Sequence, residues 1–133
     1  MTARRLLKSL RDLVAPGVRR VNFVVLAIDV PDGVSPEDGF SVRDVLNSIN
    51  PDGWWFTNPG TFMVYFQSDR HGVERAEHCR TVVESLRAHR GSLREMRFGA
   101  AEGPMITEID RRGRPTSTPM GGAANEAFQR ARA

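Results

Sequence analysis

The chain has 133 residues, enough for one domain around one core. Hydrophobic residues make up 40% and charged residues 26%, the balance of an ordinary globular protein rather than a disordered one. The formal net charge is only +3, and the basic residues are arginines apart from Lys8, so nothing marks a strongly basic nucleic-acid binder.

A single cysteine, Cys79, excludes an intramolecular disulfide. It falls on the apolar side of a predicted helix and reads as a buried thiol. His71, His78 and His89 show no metal-ligand spacing with it, so no zinc site is expected. No stretch approaches the ~20 apolar residues that span a bilayer, and the N-terminus lacks the apolar core of a signal peptide. A cytoplasmic protein without a membrane span is the expectation.

In chain order, Thr2–Val14 predicts an amphipathic helix with Leu6, Leu10, Leu13 and Val14 on one stripe, closed by Pro16-Gly17. Residues 1–17 are assigned to this helix and 18–133 to the domain proper. Val21–Val30 is nearly continuous in apolar and β-branched residues, as a central strand covered on both faces would be. Asp29 stands at its end, placed to ligate a metal or to cap the following turn. Ser35-Pro36-Glu37-Asp38 starts a helix that runs to Ile49. Trp54–Thr57 and Thr61–Gln67 flank Asn58-Pro59-Gly60 as a β-hairpin. Trp54 and Trp55 suit core or interface packing, with base stacking as the alternative. A long helix is predicted from Asp69 or Arg70 to His89, then a strand over Arg94–Ala101. Next come a tight turn at Gly103-Pro104, a basic loop, a final helix from Gly121, and a frayed tail at Ala131–Ala133. The order strand, helix, strand, strand, helix, strand predicts an α+β fold of ferredoxin-like βαββαβ type, with an antiparallel sheet and an extra C-terminal loop and helix.

Several of these residues together resemble the catalytic domain of the class III nucleotidyl cyclases, the adenylate and guanylate cyclases, over about Val21 to Arg130. They are Leu26-Ala-Ile-Asp29 at the end of the first strand and Val45-Leu-Asn47 in the first helix. Met63-Val-Tyr-Phe66 in the hairpin, Gly99-Ala-Ala-Glu-Gly103, and Gly121-Gly-Ala-Ala-Asn125-Glu-Ala127 complete the set. The resemblance implies a nucleotide site built around Asp29 as a metal carboxylate, Asn125 on the ribose, and an arginine one turn beyond Asn125. Gln129 occupies that last position, with Arg130 beside it as the substitute. It also implies head-to-tail pairing, as a homodimer or with a cyclase-like partner chain. Two-metal cyclisation needs a second carboxylate, and here the matching hairpin position is Gly60. The base-selecting positions fall at about Phe56 and Gly122, whose side chains cannot hydrogen-bond.

The expectation is therefore a catalytically inactive cyclase-like module that dimerises, regulates or senses a nucleotide, without a cofactor. Asp29, Asn125 and Arg130 are its vestigial nucleotide-binding candidates. The alternative is a divergent cyclase, using Mg or Mn as a dimer or with a partner chain. There Asp32 or Asp52 would supply the second carboxylate, and Arg111, Arg112 and Arg114 would clamp phosphates. An RNA-binding ferredoxin-like module is the third reading; it lacks the Arg/Lys-Gly-aromatic strand signature, so a nucleic-acid partner is not expected.

Overall fold

The computed structural model describes residues 17–89 and 91–133, so the helix expected over Thr2–Val14 lies outside the described residues. Four strands form one antiparallel sheet: β1 (Val18–Asp29), β2 (Gly53–Thr57), β3 (Thr61–Gln67) and β4 (Arg97–Glu108), in the order β2-β3-β1-β4. Three helices pack on it: α1 (Pro36–Ile49), α2 (Gly72–Glu84) and α3 (Gly122–Arg132).

The alternation of β1 splits the core between two faces. Val24, Leu26 and Ile28 point towards α1 and α2, where they meet Val42, Leu46, Cys79 and Val83. Phe23, Val25 and Ala27 point the other way, towards α3. Both sets are buried, which is why β1 reads as a continuous apolar run. Val42 and Leu46 are fully enclosed, and each such side chain contributes roughly 2 kcal/mol of transfer free energy.

The start of α1 follows its sequence signal. The Ser35 hydroxyl accepts from the Asp38 amide at 3.2 Å, Pro36 opens the first turn, and Asn50 closes the helix in the left-handed conformation. The Trp54 indole donates to Asn47 at 3.2 Å and ties α1 to the edge strand β2. On the same face, the Ser92 hydroxyl donates to Asp38.

Three expectations are corrected. The strand expected over Arg94–Ala101 begins at Arg97, after a short 3-10 turn at Ser92–Glu95, and runs unbroken to Glu108. Gly103-Pro104 is not a tight turn but part of β4, with Pro104 opposite Asn22. Proline is tolerated because β4 is an outer strand, where an N–H can be dispensed with on the free edge. The loop that follows folds back as Met120 bridges Ile106. The predicted frayed tail is also ordered: Ala131 is buried and α3 continues through Arg132.

Candidate functional site

The site forms where the end of α3 meets the end of β1 beside the tip of the β2–β3 hairpin. Small residues set its depth. Ala123, Ala127 and Ala131, four apart, face the sheet, and β4 answers with Gly99. A Cβ on Gly99 would lie 2.2 Å from the Ala127 carbonyl oxygen and 2.3 Å from the Ala131 nitrogen. Helix and strand backbones therefore touch at a point only glycine permits. Arg132, next to Ala131, is carried to the end of β1.

There it meets Asp29, whose side chain is fully buried. Arg132 Nε donates to Asp29 Oδ2 at 3.1 Å and Nη2 donates to Oδ1 at 3.5 Å. The Thr61 hydroxyl, directly across from Asp29 on β3, donates to Oδ1 at 2.7 Å. The guanidinium also lies 4.6 Å from the centre of the Phe128 ring. Asp29 thus engages a cation, but the cation is a side chain.

The surroundings do not fit a pair of divalent ions. Both Asp29 oxygens are taken, and no second carboxylate faces them from the hairpin. Gly60 packs under the turn after β1, so that a Cβ there would sit 2.6 Å from the Val30 carbonyl oxygen. Val30 N–H donates to the Gly60 carbonyl at 2.8 Å and Val34 N–H to the Pro59 carbonyl at 3.1 Å, which pins the tip in place. Among the described residues no group of three His, Cys, Asp or Glu converges on a metal position. Asp32 is exposed in the turn after β1. Asp52 sits at the other end of β3, where it accepts from the Gln67 amide at 2.7 Å and from Arg75 at 3.0 Å.

Asn125 is exposed on α3 and lines a cleft of about 320 Å³ between that helix and the hairpin, together with Arg132. Trp55, Met63 and Phe128 form its apolar walls. Arg130 points elsewhere: Nη1 donates to the Ala100 carbonyl at 2.6 Å and Nη2 to Glu126 at 2.5 Å. The structure brings Asn125, Arg132 and the buried Asp29 to one place, and leaves Arg130 on the β4 side. Phe56 lies against Phe62, ring centres 4.8 Å apart, and lines a separate cleft with α1. Strand alternation makes Trp55 and Thr57 the β2 residues that face Asn125.

Arg111, Arg112 and Arg114 lie beyond β4, whose last residue, Glu108, pairs with Val18 at the far end of β1 from Asp29. Asp110 organises their loop. Its carboxyl is held below the usual carboxylate range by the Arg114 amide first, then by the Arg112 amide and the two arginine charges. Gln67 and Arg70 donate to the Gly113 and Arg112 carbonyls and anchor the loop there.

Arg132 and Phe128 carry no site expectation from sequence, and Trp55 carries only the alternative of base stacking that it shares with Trp54. The alanine period of four on α3 carried the signal for Arg132, since it fixes which side of the helix faces the sheet.

No protein-family model and no curated protein sequence matches the chain. Two solved structures of bacterial light-regulated adenylyl cyclases are similar to it. One superposes with a TM-score of 0.61 at 14% identity, over 97% of this chain and 45% of that one. The other does so with a TM-score of 0.58 at 14% identity, over 95% and 44%. The chain thus spans less than half of either cyclase. The likeness shows a cyclase-like fold. Among the described residues no helix is long and apolar enough to cross a membrane.

Proposed function

We propose that this chain is a cyclase-like domain that does not cyclise nucleotides and acts as a dimerisation, regulatory or nucleotide-sensing module. One observation carries the reading: the Asp29 carboxylate is closed off by Arg132 and Thr61 while the facing hairpin residue is an obligatory glycine. A cyclase needs metals to lower the pKa of the attacking hydroxyl and to spread charge on the leaving pyrophosphate. A guanidinium neutralises Asp29 but has no open coordination position for either task. The domain works without a divalent cofactor on this reading.

The strand order β2-β3-β1-β4, with α1 and α2 on one face, supports the ferredoxin-like arrangement. Support for pairing comes from the β2–β3 half of the sheet, where Trp55 is 37% exposed at the open cleft beside α3. Its partner is a second copy or a cyclase-like chain. Asp29 and Asn125 are the surviving elements of the nucleotide site, Asp29 as the anchor of Arg132 rather than as a metal ligand. Arg130 holds α3 to β4.

The test is incubation of the purified chain with each nucleoside triphosphate plus magnesium or manganese. No cyclic nucleotide is expected. Product that disappears in Asp29→Ala would overturn the reading in favour of a divergent cyclase. Size measurement by light scattering tests pairing: a concentration-independent monomer, alone and with candidate partners, contradicts it.

A further inference from the structure

The cleft beside Asn125 has a composition that points to a ligand. Its volume, about 320 Å³, falls at the lower end of small-molecule sites. Trp55 and Phe128 supply flat aromatic walls and Met63 an apolar one. Asn58 and Asn125 line it with side-chain amides that make no hydrogen bond to another described residue. Each amide offers donors and an acceptor to a ring edge or a hydroxyl.

The electrostatics are one-sided. None of the described lining residues is acidic. Asp29 is completely buried, whereas the Arg132 side chain is 46% exposed, so solvent in the cleft meets the guanidinium and not the carboxylate. Two of its N–H groups go to Asp29, and a guanidinium has five. The unused donors suit one compact anion. They do not suit a triphosphate, whose several charges need more cations than one shared guanidinium.

We infer that this cleft binds a flat aromatic ring carrying a single anionic group, as in a purine nucleoside monophosphate, and binds it without a divalent metal. The ring lies between Trp55 and Phe128, Asn125 meets its polar edge or sugar, and Arg132 takes the anion while staying on Asp29. This rests on the reading of the chain as a domain that does not cyclise nucleotides, and gives that domain its ligand class.

Calorimetric titration of the full chain with adenosine monophosphate in excess EDTA tests the inference. Parallel arms use adenosine, inorganic phosphate, and adenosine triphosphate with magnesium. The expected result is saturable binding of the monophosphate, unchanged within about twofold by replacing EDTA with magnesium. Adenosine and phosphate alone should each bind at least about tenfold more weakly, the loss of one charge-assisted hydrogen bond or of the stacked ring. Asn125→Ala and Arg132→Gln should each weaken the monophosphate about tenfold. Trp55→Phe should remove most of the ligand-induced change in tryptophan fluorescence although Trp54 remains. Thermal unfolding checks that each variant is folded. If Arg132→Gln is not, the exposed Asn125 and Trp55 variants still decide the matter.

The inference is overturned by absence of binding at millimolar monophosphate, by binding that requires magnesium, or by binding indifferent to Asn125 and Trp55. Those outcomes leave the reading of an inactive domain standing. That reading falls only if the triphosphate arm yields cyclic product.

Discussion

Gly60→Asp puts a carboxylate back at the hairpin position facing Asp29, and the structure predicts that it breaks the hairpin instead of building a metal site. The new Cβ would lie 2.6 Å from the Val30 carbonyl oxygen, 3.1 Å from Gly33 Cα and 3.3 Å from the Gly33 carbonyl carbon. All three are backbone atoms, so no side chain can swing aside. The tip must move away from the turn after β1, stretching the Val30–Gly60 and Val34–Pro59 hydrogen bonds. Overpacking costs about 1–3 kcal/mol and each weakened hydrogen bond about 1 kcal/mol, giving a loss of at least about 3 kcal/mol. For a chain of this size that lowers Tm by about 10 °C, read by circular dichroism. Because the clash is at Cβ, Gly60→Ala should lose nearly as much. An aspartate variant that melts within about 2 °C of the parent would refute the steric argument. Metal-dependent cyclase activity in that variant would refute the claim that the hairpin cannot hold a second carboxylate beside Asp29.

Gly99→Ala should cost about 3 kcal/mol or more, because its Cβ would enter the α3 backbone; urea unfolding measures it, and a loss below about 1 kcal/mol contradicts the packing. Arg132→Leu leaves a fully buried carboxylate with only Thr61 as partner among the described residues. The partial exposure of Arg132 limits the expected cost to about 1–3 kcal/mol, checked by the same assay in parallel with Asp29→Asn, Arg132→Leu. Burial pushes the Cys79 thiol up to about 12 from an ordinary 9.0, and raises the Tyr65 phenol too. The unfolded chain gives up these protons first, so the contribution of Cys79 and Tyr65 to stability should be constant below about pH 9 and fall as pH rises towards 12. Unfolding free energies across that range check the sign. A thiol-specific reagent at pH 8 should modify Cys79 only after denaturation; fast reaction in the native state would contradict its burial.

Much of the fold was legible because local signals agreed. The cap at Ser35, the apolar run of β1 and the Asn58-Pro59-Gly60 turn each specify one structure and lie where that structure needs them. Gly103-Pro104 misled because its turn chemistry is real, but the edge position of β4 and pairing with Asn22 override it. The 3-10 turn at Ser92–Glu95 was hidden because four residues carry no period. The site was half legible. The position of Asp29 at a strand end and of Asn125 near a helix start could be read from pattern. The contact between Asp29 and Arg132 joins residues more than a hundred positions apart, and its geometry depends on how closely α3 approaches Gly99. No local rule contains that distance. Phe56 and Trp55 show the same limit: one step of strand register decides which of them faces the cleft.

The central claim is that Arg132 holds the place a metal would need at Asp29. Electron paramagnetic resonance of free manganese, titrated with the protein and a non-cleavable triphosphate analogue, tests it most directly. The free-manganese signal should be the same for the parent chain and for Asp29→Asn at every concentration. Manganese uptake by the parent that Asp29→Asn abolishes would contradict it.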